Sequence, residues 1–338
     1  MEVCLIGIDL AKNIFQVCAV NQNHKVIFNR QIRRNKLMEC LIQYPQALIA
    51  METCSGSNYW GRELKRLGFK VLLIPTQHVK PFVKGNKNDR NDALAITEAA
   101  RRPNIQGVEP RTLEQTDTML VHRMRERLVR DRTAVINQIR GFLSEYGIVV
   151  RPGKESLYSA LPQLLEDAEN GLTVSAREMI EWQRQEWQQL NERIEILNRK
   201  IRQQAKSHED AQRLLGIKGV GEITATAVIA HAGNGSAYKN GRHFSANLGL
   251  VPKENSSGGK QKLSSVTKRG NEYLRGLFVQ GAWAVLRHAK EDSDDRLSKW
   301  AWNVAKRRGK QKAAIALANK LARIAWSVLY HQSHYQPQ

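Results

Sequence analysis

Val3-Cys4-Leu5-Ile6-Gly7-Ile8-Asp9 opens the chain as a short apolar run that ends on a carboxylate. A run of this length, stopped by a charge, reads as a buried strand. Residues 14–20 and 25–32 are further strand candidates, with Asn21-Gln22-Asn23-His24 as the turn between them. Residues 47–51 form another apolar run, and Glu52 ends it. A helix fits residues 59–67, closed by Gly68, and a strand fits residues 71–74, stopped by Pro75. A second helix is expected from about Asn91 to Arg101, before Pro103. Three early strands followed by alternating strands and helices predict an α/β domain over residues 1–111, a mixed sheet with helices packed on it.

Four carboxylates stand at chosen points of this pattern. Asp9 ends the first strand, Glu52 ends a later one, and Asp89 and Asp92 open a helix three residues apart. An i, i+3 pair shares a helix face. If that helix lies across the sheet, all four converge. Such a cluster is costly unless a cation neutralises it. Hard divalent ions with oxygen ligands do so, typically Mg²⁺, and an ion pair can activate the attacking oxygen and stabilise the leaving one in phosphoryl transfer. The order strand-Asp, strand-Glu, helix-DxxD follows that of the RNase H and RuvC nuclease folds. Lys80, Lys84, Lys87 and Arg90 flank the pair and suit a phosphate backbone.

Charge points the same way. The 338 residues carry 53 Lys and Arg against 32 Asp and Glu, a formal +21, which favours a polyanionic partner. Nucleic acid leads and an anionic membrane is the rival. No run of 18 apolar residues and no basic leader is present, so a cytoplasmic location and no membrane insertion are expected. Cys4, Cys18, Cys40 and Cys54 make no CxxC pair and read as reduced thiols.

Residues 112–206 read as a helical, coiled-coil domain. Ile180, Trp187, Leu190, Ile194, Leu197 and Ile201 keep a seam at heptad-like spacing, and Leu128, Val135, Ile139, Phe142 and Tyr146 keep a looser one. Residues 147–171, with Pro152 and Pro162, read as a loop-rich connection between two long helices folded back on each other. The pair is either a plain hairpin or an oligomerisation arm. Residues 207–338 form a basic, mostly helical domain. There Leu214 to Gly221, followed by Thr224-Ala225-Thr226-Ala227, resembles a helix-hairpin-helix, in which Lys218, Gly219 and Gly221 suit a phosphate. Further on, Ser256-Ser257-Gly258-Gly259-Lys260 precedes Thr267-Lys268-Arg269-Gly270-Asn271. No acidic residue lies between Lys260 and Arg269, and Lys260, Lys262, Lys268, Arg269 and Arg275 mark this block as anion-binding. The setting suits either a phosphate-attacking hydroxyl or a phosphate-binding loop.

Together, Ile6-Gly7-Ile8-Asp9-Leu10-Ala11-Lys12, Met51-Glu52, Asn88-Asp89-Arg90-Asn91-Asp92-Ala93, the glycine hairpin and the Gly-Leu-Val-Pro, Ser-Ser-Gly-Gly and Lys-Arg-Gly blocks resemble the DEDD transposases of the IS110 insertion-sequence family, closest to its IS1111 branch. The resemblance runs in order through nearly the whole chain. It implies a RuvC-like N-terminal domain, a coiled-coil middle and a C-terminal transposase domain. It assigns Asp9, Glu52, Asp89 and Asp92 to Mg²⁺. It also places a nucleophilic serine in the Ser-Gly block, at Ser257 with Ser256 as its neighbour. That serine attacks the scissile phosphodiester and becomes covalently linked to DNA. The resemblance further implies a site shared between subunits of a tetramer, a dimer of dimers, and a structured bridge RNA that pairs with donor and target DNA. A metal-dependent RuvC-like endonuclease or junction resolvase, without a covalent serine step, is the competing expectation.

Overall fold

A computed structural model describes residues 2–86, 88–105 and 107–336. The chain divides into two compact units, Met1–Glu114 and Gln115–Gln338.

The first unit runs β1 (Val3–Asp9), β2 (Ile14–Asn21), β3 (Val26–Arg33), α1 (Leu37–Ile42), β4 (Leu48–Glu52), α2 (Ser57–Arg66), β5 (Lys70–Ile74), α3 (Thr76–Val79) and α4 (Asp89–Ala100). Its strands form a mixed sheet in the order β3-β2-β1-β4-β5. β1, β2 and β3 pair antiparallel, whereas β4 joins β1, and β5 joins β4, in parallel. The central strands are almost continuously apolar because both faces are covered. Ile6, Ile8, Val17, Ile49 and Met51 pack with α1 and α2 on one face. Leu5, Cys18, Val20 and Ala50 pack on the other face with Ala93, Ile96 and Ala99 of α4. The expected strands and the two longer helices are all present. The short α1 and α3 were not anticipated: six and four residues are too few to display a helical period.

The second unit is mostly helical: α5 (Leu113–Glu145), α6 (Lys154–Glu166), α7 (Val174–Ser207), α8 (Glu209–Leu215), α9 (Glu222–Ala232), α10 (Gly241–Asn247), the hairpin strands β6 (Pro252–Glu254) and β7 (Leu263–Val266), α11 (Glu272–His288), α12 (Arg296–Arg308) and α13 (Lys310–His331). α5 and α7 lie antiparallel. Arg125 donates to Asn198 and Arg132 to Asn191, so the residue numbers run in opposite directions along the contact. Leu128, Val135 and Ile139 meet Ile180, Trp187, Leu190 and Ile194 in one core. The connection expected as loop contains α6. Its Leu157 and Leu161, one turn apart, are fully buried in the same core. The prolines that suggested a loop did not prevent this, and Pro162 sits inside the helix. Tertiary burial of the leucine stripe outweighed local propensity.

A buried polar link ties α5 to α9 and α11. The His122 side chain is fully buried, with Thr226 Oγ1 and Tyr273 Oη each 3.0 Å from a ring nitrogen. The Thr226 hydroxyl already donates to the Glu222 carbonyl, so His122 Nε2–H must be the donor to it, and Nδ1 accepts from Tyr273. Burial, helped by the Arg125 charge, pushes the His122 pKa down to about 4. The imidazole is therefore neutral in the fold and takes a proton more readily in the unfolded chain. Stability is unaffected above the unfolded value of about 6.5 and falls as pH drops from there towards 4. Urea unfolding of this unit is expected to lose about 2 kcal/mol between pH 7 and pH 5 through this residue. His122→Gln, which cannot titrate, removes that part of the pH dependence.

Candidate functional site

The site begins with the register of β1 against β4. Ile8 pairs with Met51, so Asp9 and Glu52 follow side by side at the same end of two adjacent parallel strands. Alternation along each strand puts them on the face of Leu5 and Ala50, the face that α4 covers. Gly7 explains how α4 comes so close. A Cβ there would stand 2.8 Å from the Ala93 carbonyl and 2.6 Å from Thr97 Cγ2, so any side chain would lift the helix off the strand. Asp92 directly precedes that crossing and is half-buried; Asp89, one turn earlier, is exposed. The helix start is fixed from two sides. Asn88 caps it by accepting from Asn91 N at 2.9 Å, and Asn29 of β3 donates to the Arg90 carbonyl at 3.0 Å. Carboxylates in the first turn also gain from the helix dipole.

The electrostatics follow the geometry. The Cys54 thiol is pushed up to about 11 by partial burial and by the charges of Glu52 and Asp9. Asp9 and Glu52 offer carboxylate oxygens, a donor type suited to a hard divalent cation. Asp9 and Glu52 are brought together, and Asp89 and Asp92 start the helix that crosses the same face. Among the described residues, no three acidic, histidine or cysteine side chains are gathered closely enough to form a ligand set. Lys84 and Arg90 are exposed beside the helix start. Lys87 lies outside the described residues.

The serine block is the tip of the β6–β7 hairpin. Ser257 and Lys260 bridge across a two-residue turn, with Gly258 at φ +56° and Gly259 at φ +74°. Two successive positive φ values define a type I′ turn, which glycine enters without strain. The two serines differ in their partners. Ser256 Oγ donates to Glu254 at 2.6 Å and accepts from Lys262 N at 3.1 Å. The Ser257 hydroxyl is exposed and has no such partner among the described residues. Lys260 and Lys262 are exposed on the returning arm, and Lys268 and Arg269 are exposed beyond β7. Arg275 instead donates to the Leu248 carbonyl at 3.1 Å.

The loop behind the hairpin is held by backbone contact. A Cβ on Gly270, at φ +90°, would fall 1.8 Å from the Asn247 carbonyl oxygen. Gly270→Ala is expected to cost about 3 kcal/mol from overpacking and left-handed strain, lowering the thermal midpoint of this unit by roughly 6–12 °C. A scanning calorimetry trace matching wild type would contradict this packing. His231 sits at the same junction, 3.2 Å from Asn271 and 3.1 Å from Asn247. Forty residues separate it from Asn271, which hid the neighbourhood from sequence inspection.

The glycine hairpin between α8 and α9 is partly committed to packing. Gly219, at φ +90°, would place a Cβ 2.9 Å from the Gly281 carbonyl of α11. Lys218 donates to Asp295 at 2.6 Å and to Ser298 Oγ at 3.1 Å. Burial works against the Asp295 charge, but these partners outweigh it and hold its carboxyl at about 2. Gly221, at the N-terminus of α9, faces open space.

Comparison with known proteins gives the family. A family profile described as transposase, of the DEDD type of IS110, matches residues 6–148, and the profile described as the transposase IS116/IS110/IS902 family matches residues 211–298. The chain is 41% identical over 338 residues to the probable family 20 transposase of Pseudomonas aeruginosa, covering all of both chains. It is 40% identical over 335 residues to the transposase for insertion sequence element IS1111A of Coxiella burnetii, covering 99% of this chain and 92% of that one. It is 39% identical over 327 residues to the transposase for insertion sequence element IS1328 of Yersinia enterocolitica, covering 97% of each. By these matches over both units and nearly the whole chain, the chain belongs to the IS116/IS110/IS902 family of insertion-sequence transposases.

Proposed function

We propose that this protein cuts and rejoins DNA through a covalent serine intermediate, with Asp9, Glu52, Asp89 and Asp92 holding Mg²⁺ and Ser257 as nucleophile. The observation that carries the reading is the crossing of α4 over Gly7, which sets Asp92 beside the strand that ends in Asp9. When bound, the metal neutralises the carboxylates and the charge that builds on the phosphate. The Ser257 hydroxyl gives up its proton and forms an Oγ–P bond, while the broken strand leaves as a deoxyribose hydroxyl. A strand hydroxyl can then attack the phosphoserine and release the serine. The bond energy is conserved, so rejoining needs no ATP. The freedom of the Ser257 hydroxyl, beside an engaged Ser256, favours Ser257 for this role.

In this reading, residues 1–111 act as the RuvC-like part, residues 112–206 as a coiled-coil arm for a dimer of dimers, and residues 207–338 as the transposase part with a helix-hairpin-helix. Lys84, Lys87 and Arg90, the Lys218–Gly221 turn, and Lys260, Lys262, Lys268 and Arg269 contribute nucleic-acid contacts, and Arg275 braces their loop. A structured bridge RNA pairs with donor and target DNA. The test is an incubation of the full chain with element-end DNA, Mg²⁺ and transcribed flanking RNA. An SDS-resistant protein–DNA adduct, mapped to a serine, is expected. Cut DNA with no adduct at any time point would favour the hydrolytic alternative.

A further inference from the structure

Within the helical unit, a groove of about 1570 Å³ runs between the β6–β7 hairpin and α13. α13 reads on two sides. Ala313, Leu317, Leu321, Ala325 and Leu329 are buried in the core of this unit. Lys312, Ile315, Asn319, Arg323 and Ser327 recur every three or four residues and line the groove. Asn319 is fixed in place by donating to Ser245 and to the Leu250 carbonyl.

Two properties define what this groove can hold. Arg242, Lys312, Lys320 and Arg323 line it, no acidic residue does among the described residues, and none of the four has an ion-pair partner there. Lys320 is half-buried and sits over the Trp300 ring at 4.4 Å, and burial and the Arg323 charge push its pKa down. Four unpaired cations in one concavity call for a polyanion. The second property is an apolar lining from Leu250, Ile315 and Ile324. A duplex hides its base faces and presents phosphates, so it has no use for such a lining. A single strand offers both phosphates and bare base faces.

The hairpin decides between polyanions. Leu263, Ser264 and Ser265 of β7 form one wall of the groove, and the same hairpin carries Ser257 at its tip. A strand lying in the groove therefore rests against the same hairpin that carries that serine. We infer that this groove binds single-stranded DNA, the unpaired part of the strand that Ser257 attacks. The inference rests on the function proposed above for that serine.

The test is fluorescence anisotropy of the full chain with a single-stranded oligothymidylate, read against salt. Arg242→Gln with Arg323→Gln is expected to weaken binding tenfold or more. Its plot of log affinity against log salt should be shallower by about 1.4, from two lost phosphate contacts on a single strand. Arg242→Lys with Arg323→Lys retains the charges and should bind nearly as wild type, which also shows that the site folds. Arg151→Gln with Lys154→Gln makes the same charge change elsewhere in this unit and should have little effect. The inference is overturned if the groove variant binds as wild type, if the control pair loses as much, or if duplex DNA loses equally. It is also overturned if oligouridylate binding falls while oligothymidylate binding does not. A groove variant that loses strand binding, alongside a wild type that forms no adduct, separates a sound groove from a wrong serine. The reverse pattern keeps the serine and removes the groove.

Discussion

Ser257→Ala is expected to abolish the covalent protein–DNA adduct and lower strand exchange by at least about 10⁴-fold, because no other group takes over a lost nucleophile efficiently. DNA binding should remain, since the side chain is exposed and small. Ser256→Ala is the informative partner. It removes the hydrogen bonds to Glu254 and Lys262 N and loosens the hairpin, so a reduction of a few-fold with the adduct retained is expected. Adduct loss in Ser256→Ala alone would exchange the roles of the two serines. Normal exchange by Ser257→Ala would remove the serine mechanism and leave metal-dependent hydrolysis.

Asp9→Asn and Asp92→Asn are expected to lower DNA cutting by about 10³-fold each, with binding changed little. Each removes one negative oxygen donor from the face that would hold the cation. Adding chelator to wild type should reproduce the loss, and Mg²⁺ should restore it. Under the proposed function the two carboxylates hold the same cation, so the double variant should be little worse than either single one. Rates that multiply in the double variant would mean that Asp9 and Asp92 serve different steps. If cutting is lost in these variants but unaffected in Ser257→Ala, the chain is a hydrolytic nuclease in the RuvC manner.

The residues differ in how far their roles could be read in the chain. Asp9 and Glu52 were readable because each terminates an apolar run, and a terminating charge marks the end of a buried strand. Their adjacency was not, because strand order is a long-range property: β4 lies next to β1, some forty residues away in sequence, and not next to β3. Gly7 reads in the chain only as one member of an apolar run, and its use as the point of close approach depends on α4, which lies against it. Lys218 and Gly219 looked equally available for phosphate, but Asp295 and Gly281, distant in sequence, already engage them. α6 was masked by Pro152 before it and Pro162 within it, and its formation follows from burial against α5 and α7.

The sequence by itself determined the strands and the two longer helices of the first unit, and the family. Those features lie in contiguous residues with local periods and turn chemistry. The tertiary structure alone decided that α4 covers the face bearing Asp9 and Glu52, that Ser257 and not Ser256 has a disengaged hydroxyl, and that α13 turns a second, basic stripe towards the hairpin. Each of these depends on which distant element packs on which face. That is settled by burial over the whole unit, and no short window of sequence contains it.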